Sequence, residues 1–139
     1  MLTDLYVSEN KFTEFPVEVT GMLSLQKLSL ACNDISVIPP EIANLEDLRF
    51  LDMSFNQVRR LFFSVSRPQV LLSLAERDPL FRLVSQIRQL PAELASLCNL
   101  ERLNLAFNPL GSRSPELPEV IFKVTTLIEL NLDYTGIQV

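Results

Sequence analysis

The 139-residue sequence contains no histidine. It therefore lacks the side chain that most often serves as a general base near neutral pH and most often ligates metals. Its two cysteines, Cys32 and Cys98, lie 66 residues apart and match neither a metal-ligand nor a redox spacing. Neither has an imidazole near it in sequence, and Cys98, between Leu97 and Leu100, reads as an ordinary buried thiol. The three glycines, at positions 21, 111 and 136, are too scattered for a phosphate-cradling loop. The 17 acidic residues are spread along the chain, as solvated surface residues would be. No catalytic, cofactor-binding or metal-ligating residues are therefore expected, and the chain reads as a non-enzyme. Recognition chemistry remains. Arg49, Phe50, Asp52 and Phe55 form one polar and aromatic run. Arg102, Asn104 and Phe107 repeat it, and Glu129, Asn131 and Tyr134 give a third version.

That recurrence belongs to a longer period. Leu2, Leu5, Val7, Asn10 and Phe12 follow the spacing L-x-x-L-x-L-x-x-N-x-L. Leu25, Leu28, Leu30, Asn33 and Ile35 repeat it 23 residues later, and Leu48, Leu51, Met53, Asn56 and Val58 after another 23. Leu100, Leu103, Leu105, Asn108 and Leu110 make a fourth copy. Leu127, Leu130, Leu132 and Ile137 make a fifth, with Thr135 in the asparagine position. A fixed period of this length is the signature of a solenoid. The L-x-L alternation predicts a strand with one buried face, and such strands stack in parallel at about 4.8 Å into one sheet. The apolar positions of one copy are buried only by its neighbours, so stability is shared along the stack. Asn10, Asn33, Asn56 and Asn108 are read as a buried structural ladder. Their amides satisfy backbone groups of the turn and of the adjacent copy.

The second half of each copy opens on a proline. The runs are Phe15-Pro16-Val17-Glu18-Val19, Ile38-Pro39-Pro40-Glu41-Ile42, Leu90-Pro91-Ala92-Glu93-Leu94 and Leu117-Pro118-Glu119-Val120-Ile121. Proline at the first turn of a helix predicts short helical returns on the convex side. These L-x-x-L-P-x-x-[IL] returns resemble the typical intracellular leucine-rich repeats of Ras-pathway scaffolds, plant intracellular Ras-group proteins and Ras-suppressor-like proteins. The resemblance covers about 110 residues, all but one interruption. It implies an α/β leucine-rich-repeat solenoid, with a parallel sheet on the concave face and short helical returns on the convex face. It also implies protein partners, with a small GTPase or its regulators as one class.

The interruption falls between the third and fourth copies, where Leu48 to Leu100 spans 52 residues. Removing residues 60–88 restores Val58-Arg59-Gln89-Leu90-Pro91, an ordinary junction. The chain thus divides into repeats 1–3 (1–59), an insertion (60–88), and the rest of repeat 3, repeat 4 and the strand of repeat 5 (89–139). The insertion holds five arginines against Glu76 and Asp78, a net +3, which leaves −8 for the repeats from a total of −5. Pro68 and Asp78-Pro79 suggest two short helices, the second with Leu80, Leu83, Val84 and Ile87 on one apolar stripe. The stretch can be a basic, apolar island for an acidic partner, a tolerated insertion, or a retained intron in an aberrant gene product. A smaller departure, Asn108 to Pro115, adds four residues as a widened turn.

The negative net charge and the absence of a regular basic patch argue against nucleic acid. The most apolar run, 61–75, contains Arg67 and Pro68 and is too short to span a bilayer. A signal-like start, Asn-x-Ser/Thr acceptors and a disulfide framework are all missing, which suggests a cytoplasmic setting. Leu2 already occupies the first repeat position and Val139 follows the last strand with no cap. A fragment is the expectation, for instance a targeting or regulatory piece of a larger signalling enzyme, or a chain whose ends something else protects. The leading expectation is a scaffold or adaptor in intracellular signalling. Its partners would sit on the outward strand positions, at Arg49, Phe50, Asp52, Phe55, Arg102, Asn104, Phe107, Glu129, Asn131 and Tyr134; oligomeric state is left open. Thermal melts of the intact chain and of one lacking residues 60–88 separate the readings of the insertion. A higher, sharper transition on deletion marks the stretch as foreign, and a lower midpoint marks it as part of the domain.

Overall fold

Each L-x-L run forms a three-residue strand: β1 (Asp4–Tyr6), β2 (Lys27–Ser29), β3 (Phe50–Asp52), β4 (Arg102–Asn104) and β5 (Glu129–Asn131). In this computed structural model, which describes residues 1–56, 87, 89–112 and 116–138, the strands pair in parallel in the order β1-β2-β3-β4-β5. The register is the same at every junction, so Leu5, Leu28, Leu51, Leu103 and Leu130 form one row. Burial follows the number of neighbours each leucine has. Leu28 and Leu51 are fully buried and Leu103 almost so, whereas Leu5 and Leu130, on the edge strands, are only partly buried.

Tight turns return the chain from one strand to the next. Val17–Gly21, Pro40–Asn44 and Ala92–Ser96 are 3-10 turns, and Glu119–Lys123 is a short α-helix, α1. The recurring proline stands one residue ahead of each, and its carbonyl accepts the first turn bond: Val19 N–H donates to Pro16 O, Ile42 to Pro39, Leu94 to Pro91 and Ile121 to Pro118. Among the described prolines, only Pro40 lies inside a turn, at a position where its missing N–H has no partner to lose. Inward residues of the returns, Val19, Ile42, Leu94 and Ile121, complete the core with the strand leucines.

The asparagines knit the copies together. Asn33 Nδ2 donates to Leu30 O and Ala31 O of its own turn and to Val7 O of the preceding copy, while its Oδ1 accepts Phe12 N–H. Asn56 repeats the set with Met53 O, Leu30 O and Ile35 N–H. Asn108 reaches Leu105 O and Met53 O, but its buried Oδ1 has no partner among the described residues. Asn10 departs from the expected buried ladder. It is exposed and donates to Val7 O and Ser8 O of its own turn, with β1 at the edge of the five-stranded sheet. In the fifth copy, Thr135 is buried and closes the turn differently, donating to Leu132 O at 2.7 Å.

The long insertion leaves the sheet unbroken. Phe50 pairs with Arg102 and Leu51 with Leu103 in the ordinary register, and Pro40–Asn44 packs on Ala92–Ser96. The two helices expected between Pro68 and Arg88 lie outside the described residues, save Ile87. That residue corrects the sequence reading: it is not on a helix, and it is fully buried in the shared core. Ile87 stands four residues before Pro91, as Ile35 stands four before Pro39, so it belongs to the repeat. Cys98 is a second correction. It is exposed, because it sits with Asn99 in the turn that Glu46 and Asp47 occupy one copy earlier.

Close packing also explains Gly111, where an added Cβ would come 2.2 Å from the carbonyl oxygen of Gly136. Denaturant titrations should rank the positions by these contacts. Asn56→Ala is expected to cost about 2–4 kcal/mol and Ile87→Ala a similar amount, whereas Asn10→Ala costs under about 1 kcal/mol.

Candidate functional site

The outward side chains of the sheet lie in rows across the strands. One row is Asp4, Lys27, Phe50, Arg102 and Glu129, and the next is Tyr6, Ser29, Asp52, Asn104 and Asn131. Arg49 and Glu101 flank the first row just before their strands, joined by an Arg49 Nη1–Glu101 Oε1 contact of 2.6 Å. Lys27 Nζ meets Asp4 Oδ2 at 3.0 Å, and Arg102 Nε lies 3.7 Å from Glu129 Oε2. All three pairs are solvated, so they add little to stability. The hydrogen bond that Lys27 donates to the Asp4 carboxylate, helped by the Asp4 charge and by Tyr6, holds the Lys27 ammonium above its ordinary pKa, while desolvation and Arg102 oppose the rise. Phe50 is half-buried at the centre of this row, with a cation in register on either side.

The second row has local duties. Asp52 Oδ1 accepts Ser54 N–H at 3.0 Å, Asn104 Oδ1 accepts Ala106 N–H at 3.2 Å, and Asn131 Oδ1 accepts Asp133 N–H at 2.9 Å. These are short side-chain turns that shape the chain as it leaves each strand. The spacing that singled out Asp52, Asn104 and Asn131 thus brings together three residues whose oxygens already hold backbone amides.

Beyond them lies a third row, one residue ahead of the asparagine position. Glu9, Cys32, Phe55, Phe107 and Tyr134 all adopt left-handed backbone geometry, with φ between 54° and 58°. A non-glycine residue in that region carries a cost of roughly 1–2 kcal/mol. Three of the five offset it by stacking. The rings of Phe55 and Phe107 lie 4.0 Å apart at 16°, and those of Phe107 and Tyr134 lie 4.5 Å apart at 24°. The ladder is therefore at least partly internal packing, with Tyr134 its most exposed ring. The left-handed turn was missed in the sequence, because glycine, its usual signal, is absent from all five positions. Among the described residues no group of three or more His, Cys, Asp or Glu could hold a metal ion, and no helix is long and apolar enough to cross a membrane.

Two glycine substitutions test the balance between strain and stacking. Glu9→Gly is expected to raise unfolding stability by about 0.5 kcal/mol, since relief of strain there costs no ring contact. Phe107→Gly should lower it by about 1–3 kcal/mol, since two stacked faces are lost. Thermal melts of both variants read the signs.

Comparison with known proteins agrees with this geometry. A family model described as Leucine rich repeat matches residues 1–58, and a second of the same description matches residues 99–121. Lumican of Gallus gallus is 30% identical over 141 aligned residues, covering 99% of this chain and 38% of lumican. Adenylate cyclase of Schizosaccharomyces pombe is 29% identical over 136 residues, covering 96% of this chain and 8% of the cyclase. The leucine-rich repeat and calponin homology domain-containing protein 1 of Mus musculus is 34% identical over 84 residues, 60% of this chain and 12% of that protein. The chain therefore spans well under half the length of each of these relatives. Among solved structures, a Leptospira interrogans LRR protein superposes with a TM-score of 0.53 at 27% identity, covering 95% of this chain and 31% of that one. With the two family matches covering more than half the chain, and the parallel ladder and asparagine turns that they imply, this chain is a member of the leucine-rich repeat family.

Proposed function

We propose that this chain is a scaffold or adaptor module of intracellular signalling that binds protein partners on its concave sheet and carries out no catalysis itself. Leucine-rich repeats are in general a protein-interaction fold. The observation that carries the reading here is the division of labour on the sheet. Asp52, Asn104 and Asn131 hold the turns and the rings beside them stack, whereas Arg49, Phe50 and Arg102 point outward with only solvated ion pairs to break. Aromatic and arginine side chains of this kind dominate interface energetics. A small GTPase or one of its regulators is the partner class, and the cytoplasm is the setting.

A second reading has its own support. The chain aligns over most of its length with a small part of a yeast adenylate cyclase, so it also suits a targeting or regulatory segment of a larger signalling enzyme. A longer open reading frame with a catalytic domain would favour that version, and the binding surface would be the same.

Calorimetric titration against purified Ras-group GTPases, loaded with GDP or with a GTP analogue, tests the partner class. Phe50→Ala combined with Arg102→Ala is expected to weaken binding about ten-fold or more with an unchanged melt. Equal binding by the double variant would remove this patch from the interface.

A further inference from the structure

The described residues carry fifteen carboxylate side chains against five cations: Lys11, Lys27, Arg49, Arg102 and Lys123. Three of those five belong to the strand positions around Phe50, with their charged heads turned to carboxylates: Lys27 to Asp4, Arg49 to Glu101 and Arg102 to Glu129. Lys27 and Arg102 stand in register on either side of Phe50, and Arg49 precedes it in the chain. Among the described residues, this is where ion-paired cations flank a half-buried ring. The row through it reads acid, base, aromatic, base, acid: Asp4, Lys27, Phe50, Arg102, Glu129.

We propose that the centre of the concave sheet receives a segment of a partner protein in which two carboxylates flank an apolar side chain, with basic residues outside them. This rests on the concave-face reading above and names the chemistry of its occupant. The apolar side chain covers Phe50, and the two carboxylates meet Lys27 and Arg102, about 10 Å apart at two strand spacings. Arg49 adds a third donor on the same side. Each cation already has an exposed carboxylate partner, Asp4, Glu101 or Glu129. Exchange of such a solvated partner for an incoming carboxylate costs little, and desolvation under the bound segment strengthens the new pair. The carboxylates so released at Asp4 and Glu129 then face the segment's basic flanks. That outer pair also excludes a polyanion. A nucleic acid would satisfy the centre of the row and be repelled at both ends, whereas a segment of alternating charge satisfies all five positions.

The test uses the full 139-residue chain. A random peptide library of roughly 12 residues is selected on it. The recovered peptides are then measured by fluorescence anisotropy against the wild type and the triple variant K27E/R49E/R102E, with melts to confirm folding. The expected pool is rich in Asp and Glu around one apolar residue. It binds the triple variant at least about ten-fold more weakly, and its affinity falls as salt rises from roughly 50 to 500 mM. Should the triple variant fail to melt cooperatively, the single variant R102E carries the same expectation at a smaller fold-change. Neutral or uniformly basic peptides that bind the concave face would overturn the proposal and leave the concave-face reading standing. A pool that no concave substitution affects, or no pool at all, overturns both. A single-stranded oligonucleotide bound as tightly through the same three cations overturns the assignment to a protein segment.

Discussion

A side-chain amide that bonds to two copies at once is the contact on which the rest of this molecule depends. Three-residue strands offer too few ladder bonds to hold a turn in place, and the turn after each strand leaves backbone carbonyls facing the interior. Asn33 and Asn56 fill that gap with donors to their own turn and to the copy behind, and with an oxygen for the copy's next amide. Buried polar groups without partners are costly, so the bonding recurs in the inner copies, where the turn is buried. The constant register from β1 to β4 goes with these bonds, β5 keeps it with Thr135 in the asparagine position, and the rows of outward side chains follow from that register.

Much of this could be read from residue order alone. Leucine positions state which face is buried, asparagine positions state where each turn is closed, and the prolines state where each return begins. Such features are legible because each repeats under the same physical demand. What escaped were the places where the demand changes. Asn10 has the ladder's residue but sits beside the edge strand β1 and is exposed, so identity and environment part company. Cys98 follows a leucine in an apolar context, yet its place in the turn points it to water. Ile87 matches a helical stripe with the residues before it, and only its distance from Pro91 places it in the core.

The site was legible in a different proportion. Sequence spacing identified the rows but could not distinguish a side chain free for a partner from one occupied by its own backbone. Asp52 and Phe50 look equally available as letters, and only the Ser54 amide bonded to Asp52 separates them. The aromatic row shows the same limit. Stacking distances of 4.0 and 4.5 Å turn three apparent anchors into mutual support, and the left-handed backbone beneath them has no glycine to announce it. The cationic grouping around Phe50 depends on register across three strands drawn from both sides of the insertion, and so emerges only when β3 and β4 are seen as neighbours.

The meeting of β3 and β4 has a further consequence for how such a chain can change over time. Between Asn56 and Ile87 lie thirty residues, where the copy before has only Asp34 between Asn33 and Ile35. The sheet, the returns and the core nevertheless join as they do elsewhere. Neighbouring copies recognise one another through surfaces and not through the length of the thread that links them. The entropy of closing a longer loop rises only with the logarithm of its length, by about 3 kcal/mol for a thirty-fold extension. The outside of that turn is therefore a port, where a solenoid of this kind can acquire a foreign segment in one step and keep its architecture while selection decides whether the newcomer has a use.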